Sequence, residues 1–304
     1  IVCSKALDES EGPVLLRAGT AWYWAREEAR QSVDVLLVDE AGQVSLADAI
    51  AIAQGTRSVV LLGDPQQLAH VSQGTHALAS GASVLEHMLA GEHTIPSDRG
   101  VLLDVSWRMH PDVCDFVSRT MYDGRLTSEP DCAHQRIISV AGLEGTGLRM
   151  LHPEHEDNRT RSEEEAAAVA AGVQGLLDDG RFVDRDGNER ELSLEDILVV
   201  SPYNAQVRCL KAALPEGARV GTVDKFQGQE APIVFFSMAA SSGEDVSRGL
   251  GFLFSRNRLN VAISRAQALA VIVCSPRLFT ARCATVEDMR LVNMLCQARE
   301  VCGA

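Results

Sequence analysis

Leu36-Leu37-Val38-Asp39-Glu40-Ala41-Gly42-Gln43 runs from an apolar strand into two adjacent carboxylates, and Leu61-Leu62-Gly63-Asp64-Pro65-Gln66-Gln67-Leu68 repeats the strand-then-polar design. Short apolar runs of this kind read as buried strands of an α/β sheet, where ligands sit beyond the carboxyl ends of the strands. Asp39, Glu40, Asp64 and Gln67 are therefore expected to project from neighbouring strands into one crevice. The chemistry suits phosphoryl transfer from ATP to water. A carboxylate straight after a strand holds Mg²⁺ through its waters, and a second one beside it polarises the attacking water. Asp39 is assigned the first role and Glu40 the second. An acidic pair at a strand end is also common without catalytic meaning, so its weight depends on the company it keeps along the chain.

Four further segments come in order: Ser106-Trp107-Arg108-Met109-His110-Pro111, Ser201-Pro202-Tyr203-Asn204-Ala205-Gln206, Gly221-Thr222-Val223-Asp224-Lys225-Phe226-Gln227-Gly228-Gln229-Glu230, and Asn260-Val261-Ala262-Ile263-Ser264-Arg265-Ala266. In order and spacing, these and the two opening segments resemble motifs II, III, IV, IVa, V and VI of superfamily-1 helicases. The similar branch holds the up-frameshift RNA helicase and the eukaryotic replication nuclease-helicase. The resemblance spans about residues 20 to 280. Gly19-Thr20-Ala21-Trp22-Tyr23-Trp24-Ala25-Arg26, taken with Asp224 to Glu230, further resembles bacterial proteins in which a RecB-like nuclease precedes the helicase. Trp22 and Trp24 read equally well as core aromatics.

The resemblance implies tandem RecA-like α/β domains with mainly parallel sheets, the first truncated at its N-terminus and the second complete. ATP and Mg²⁺ would lie between them. Arg108 and Arg265 match the arginines that reach the γ-phosphate, a task suited to a guanidinium because its fork stays charged and pairs two oxygens at once. Gln67 matches the γ-phosphate and water sensor, and Gln43 braces the same network. Around the nucleotide the family pattern also sets Asp64, Glu230 as the ribose-contacting acid, and Gly228, whose backbone approaches closely. Trp107 stands where a tyrosine is common, and either stacks on the nucleotide or packs in the core. Thr222, Asp224, Tyr203, Asn204 and Gln206 match positions lining a single-stranded nucleic-acid channel, where short polar groups bond phosphates without reading bases. Tyr203 also reads as a core residue. The implied activity is ATP-dependent translocation, 5′-to-3′, on single-stranded DNA, with RNA as the alternative substrate. A non-catalytic remnant that binds nucleic acid or a partner is the competing class.

A phosphate-cradling loop needs Gly-x-x-x-x-Gly-Lys-Ser/Thr. The three lysines, Lys5, Lys211 and Lys225, stand in no such setting, and the chain opens on Ile1. The expectation is a C-terminal region of a longer polypeptide whose upstream domains carry motif I and possibly a nuclease, so that this chain alone is inactive. At 304 residues and 46% hydrophobic it is long enough for two cores. No run reaches the roughly 20 apolar residues of a membrane span, so a cytoplasmic protein is expected. Cysteines at 3, 114, 132, 209, 274, 283, 296 and 302 form no Cys-x-x-Cys pair and read as reduced core thiols. A net charge of −14 argues against tight autonomous binding to a polyanion, whose affinity rests on phosphate neutralisation.

Periodicity places strands at 33–38 and 58–63 with helical character at 44–53 and 83–89, and a boundary between domains 1–95 and 96–304. Further strands are expected at 101–105, 136–140, 148–151, 197–201, 219–222, 232–237 and 269–274. Helices are expected at 111–121, 162–178, 204–214, 256–266 and 286–300. Ser162 and Glu165 are spaced as a capping box, and 178–191 reads as a surface loop or hairpin.

Overall fold

A computed structural model describes residues 16–68, 81–92, 94–140, 142–226, 228–246 and 249–303. Lys5, Cys3 and Gln227 lie outside the described residues. The chain divides into two compact units, Ile1–Pro96 and Ser97–Ala304.

In the first unit, β1 (Val35–Val38) pairs in parallel with β2 (Ser58–Leu61), and the ladder extends through Leu62 N–H donating to the Val38 carbonyl at 2.8 Å. Helix α1 (Ala21–Trp24) precedes them, α2 (Leu46–Ala53) joins them, and α3 (Val84–Leu89) follows. Both later helices start on a serine whose hydroxyl accepts an N3 amide, Ser45 from Asp48 and Ser83 from Glu86. Trp24, Leu36, Val38, Ile52 and Val84 form the core. Trp24 is thus a core aromatic, whereas Trp22 is exposed.

The second unit is built on a five-stranded parallel sheet in the order β10-β9-β11-β12-β6. Its strands are β6 (Gly147–Leu151), β9 (Ile197–Val200), β10 (Arg219–Gly221), β11 (Ala231–Ser237) and β12 (Ala266–Val273). Continuous apolar runs such as Ile197–Val200 suit this sheet because both faces are covered. Ile197, Val199, Ile233, Phe235, Leu269 and Val271 pack with α5 (Glu163–Asp179) and α6 (Asn204–Ala213). Helix α4 (Pro111–Met121) packs with α8 (Arg256–Ile263) and with α9 (Val286–Cys302), and between them the three cover β6, β11 and β12. The short α7 (Leu250–Leu253) leads into α8.

Several expected elements differ. The segment 101–105 pairs only at β3 (Val105–Ser106), because its partner β4 (Thr127–Ser128) is equally short, and Val101 and Leu103 stay exposed. The helix expected to reach 266 stops at Ile263, since Ala266 already pairs with Ala231 in the β11–β12 ladder. The stretch 178–191 is a hairpin, β7 (Arg181–Val183) and β8 (Glu189–Glu191), which β5 (Arg136–Ile138) joins as a third strand. Asp184 Oδ1 accepts the Asp186 and Asn188 amides at 2.9 Å and closes its turn, with Gly187 supplying a left-handed φ of 83°. Only half of the anticipated capping box forms at α5. Ser162 Oγ accepts the Glu165 N–H at 3.0 Å, but the Ser162 amide donates to Gln206 Oε1 at 2.7 Å, and the Glu165 carboxylate turns into the interior.

Candidate functional site

The first unit sets four polar side chains just past two adjacent strand ends. Asp39 and Glu40 follow β1 and are exposed, while Asp64 and Gln67 follow β2 and are half-buried. Glu40 sits in the left-handed region (φ 51°, ψ 40°), a conformation that costs a non-glycine residue about 1 kcal/mol and turns the chain sharply out of the strand. Its amide donates to Asp39 Oδ1 at 3.0 Å, and Gln43 Nε2 approaches Glu40 Oε2 at 3.5 Å. Asp64 Oδ1 accepts the Gln66 amide at 2.9 Å and fixes the second loop. The two loops touch through glycines. A Cβ on Gly42 would stand 2.9 Å from the Asp64 carbonyl, and one on Gly63 would stand 2.8 Å from the Ala41 nitrogen. A cavity of about 660 Å³ along β1 includes Asp39 in its lining. Among the described residues no cluster of three or more His, Cys, Asp or Glu forms a metal cage. An exposed carboxylate pair without a cage fits Mg²⁺, which keeps waters and takes one or two carboxylates plus phosphates.

In the second unit, parallel pairing of Ala231 with Ala266 brings Glu230 and Arg265 side by side just ahead of β11 and β12. Arg108 reaches the same end of the sheet. Its Nε donates to Glu230 Oε2 at 2.5 Å and its Nη1 to the Ser264 carbonyl at 3.1 Å. Gln135, buried, donates to the Arg108 carbonyl at 2.8 Å, and Ser128 Oγ donates to the Met109 carbonyl at 2.6 Å, so the loop is held by its backbone as well. His110 then caps α4 by accepting the Asp112 amide on Nδ1, and burial lowers its pKa against the opposing pull of Asp112. Burial pushes the Glu230 carboxyl up, but hydrogen bonds from Arg108 and Gln267, with the charges of Arg108 and Arg265, outweigh it and hold the group below its ordinary 4.5. Stability tied to this depressed pKa is present above 4.5 and lost as pH falls through the lower folded value. The gap between the denaturation midpoints of wild type and Glu230→Gln is thus expected to be constant near neutrality and to close below pH 4.5, as a urea series would show.

Arg265 is buried at 4% exposure, and Trp107 is 66% exposed, which rules out core packing for its ring. Gly228 has a φ of 76° and nothing within 4 Å of a Cβ position, so its backbone faces open space.

The strand-channel candidates occupy the opposite end of this sheet, past the carboxyl ends of β9 and β10. Asn204 and Asp224 are exposed and Thr222 is half-buried. Tyr203 follows its core reading, and Gln206 departs from the strand-lining expectation. The Tyr203 ring is buried, with the Phe252 ring at 5.3 Å. Gln206 is 0% exposed, and its amide donates to the Ser162 carbonyl at 3.0 Å and to Ser237 Oγ at 2.9 Å, so it joins α6 to α5 and β11.

Beneath that end lies a buried network that the motifs did not flag. Glu165 accepts from Ser237 Oγ at 2.6 Å, from the Ala239 amide at 2.9 Å and from His155 Nε2 at 3.2 Å. His155 Nδ1 meets Ser241 Oγ at 2.8 Å, and Ser241 in turn accepts the Asn158 amide at 2.9 Å. With Nε2 protonated, every member of the chain has a donor for its acceptor. The only sequence signal was a glutamate at a helix N3 position. Gln267, likewise unflagged, stands alone as an amide in the apolar run of β12.

Comparison with known proteins gives these geometries a family. A family model described as "AAA domain" matches residues 81–277, and another with the same description matches residues 5–88. The chain is 29% identical over 263 residues to "DNA polymerase alpha-associated DNA helicase A" of Schizosaccharomyces pombe, covering 79% of this chain and 37% of that protein. It is 29% identical over 260 residues to "DNA-binding protein SMUBP-2" of Rattus norvegicus, covering 79% and 25%. It is 30% identical over 261 residues to "Helicase sen1" of S. pombe, covering 78% and 14%. This chain therefore spans well under half the length of these relatives. A family match of that extent, with two helicases among the relatives it is similar to, establishes that the chain belongs to the AAA-domain family, among the superfamily-1 helicases.

Proposed function

We propose that this chain is the helicase region of an ATP-dependent DNA helicase that moves 5′-to-3′ along single-stranded DNA, and that its polypeptide is also nuclease-fused. The observation that carries the enzymatic reading is the exposed Asp39–Glu40 pair, held past β1 by a left-handed residue that folding alone would not favour. Asp39 would hold Mg²⁺, which would supply positive charge against the charge that develops on the phosphates. Glu40 and Gln67 orient and polarise the attacking water. Arg108 and Arg265 supply cations to the phosphates, while Glu230, Gly228, Asp64, Gln43 and Trp107 hold the nucleotide. Thr222, Asp224 and Asn204 contact the strand, and Tyr203 and Gln206 shape the same end of the sheet from within. Because none of the lysines stands in a phosphate-loop pattern, this chain by itself is expected to turn over ATP slowly.

Steady-state ATP hydrolysis by the full-length protein is expected to rise on addition of single-stranded DNA, because substrate-driven closure completes the catalytic groups. A larger stimulation by RNA would move the reading to an RNA helicase. No stimulation by either polymer would overturn it in favour of a binding remnant.

A further inference from the structure

Gln267 touches both halves of the arginine cluster. Its carbonyl accepts the His110 amide at 2.7 Å, which ties β12 to the loop carrying Arg108. Its side-chain Nε2 donates to Glu230 Oε1 at 2.8 Å, leaving Oε2 of the same carboxylate to accept Arg108 Nε at 2.5 Å. One carboxylate is thereby held between an amide and a guanidinium, in a fixed rotation about its own bond. The amide is the neutral one of the two partners, and its backbone belongs to a strand of the central sheet. A carboxylate offers about four lone-pair positions, so Glu230 retains room for a hydroxyl donor while both contacts stand. Arg108 uses Nε and Nη1 in these bonds, and no bond to Nη2 forms among the described residues.

We propose that Gln267 is a positioning residue: its amide sets the Glu230 carboxylate, which in turn aims the free Nη2 edge of Arg108. The role in hydrolysis rests on the function proposed above, while the structural link does not. Removing the amide lets the carboxylate rotate and the guanidinium follow, with no loss of charge at either.

The link is read by the Nε–Hε resonance of Arg108 in ¹⁵N NMR spectra of this chain without nucleotide, assigned by its loss in Arg108→Lys. Gln267→Leu is expected to shift that resonance toward the solvent-exposed arginine position and speed its exchange with water. Gln267→Lys, which keeps a donor, is expected to leave it near the wild-type position. In the full-length protein Gln267→Leu is expected to lower kcat about tenfold, in keeping with loss of one hydrogen bond to a charged group, with KM within about threefold. In a Glu230→Ala background the same change is expected to alter kcat less than about twofold, because its effect passes through Glu230. An unmoved Arg108 resonance in Gln267→Leu, or effects that multiply in the double variant, would overturn the inference. The resonance shift in Gln267→Leu, together with no nucleic-acid-stimulated hydrolysis by the wild-type protein, would instead overturn the functional reading and leave the link intact.

Discussion

Glu40→Gln is expected to slow ATP hydrolysis by about 10²- to 10⁴-fold, the contribution typical of a positioned general base, with affinity for ATP–magnesium within about threefold of wild type. The substitution keeps the side chain's length and its ability to meet Gln43, so the left-handed turn after β1 has no new reason to rearrange. On the proposed mechanism it removes the charge that would polarise water, while Asp39 keeps its carboxylate. Single-turnover hydrolysis, paired with titration of a non-hydrolysable ATP analogue, separates the two effects. A loss under about tenfold would mean that water is activated elsewhere, with Gln67 the next group to test.

The second large effect is on stability. Glu165→Leu leaves the Ser237 hydroxyl, the Ala239 amide and the His155 ring without their acceptor in a site of 0% side-chain exposure. Buried donors left unpaired cost about 1–3 kcal/mol each, and breaking a buried pair about 3–5 kcal/mol in all. For a unit of this size about 2–4 °C is lost per kcal/mol, so a fall in Tm of roughly 10 °C is expected by calorimetry. Glu165→Gln preserves one acceptor and should fall between the two. A Leu variant within about 1 kcal/mol of wild type would show that water re-satisfies these groups and that the network contributes little.

The parallel α/β character was legible because strands β9, β11 and β12 are unbroken apolar runs, a signal that does not depend on partners. Pairing was less legible where it did depend on them. The alternation at Val101, Leu103 and Val105 looks like a strand, yet its neighbour is too short to continue the ladder. Glu165 shows the same limit in side chains. A glutamate that completes a capping box and one that turns inward are identical in sequence. The choice was made by Gln206, 44 residues away, which takes the Ser162 amide first. Arg108 and Glu230 were each flagged by motif, but their contact across 122 positions follows only from strand order, and Gln267 falls just outside the motif that would have drawn attention to it.

Residues 222–226 leave the carboxyl end of β10 and residues 228–230 lead into β11, so this strap has Thr222 at one end of the sheet and Glu230 at the other. Next to its Glu230 end it is pinned where Arg219 Nη2 donates to Gln229 Oε1 at 2.9 Å, and one residue before that pin stands Gly228 with its left-handed backbone and open surroundings. Tension applied at Glu230 has this strap as its direct covalent route to Thr222 at the far end. The buried turn at Val223–Phe226, the left-handed backbone of Gly228 and the Gln229 pin together fix how much of a pull at one end is felt at the other.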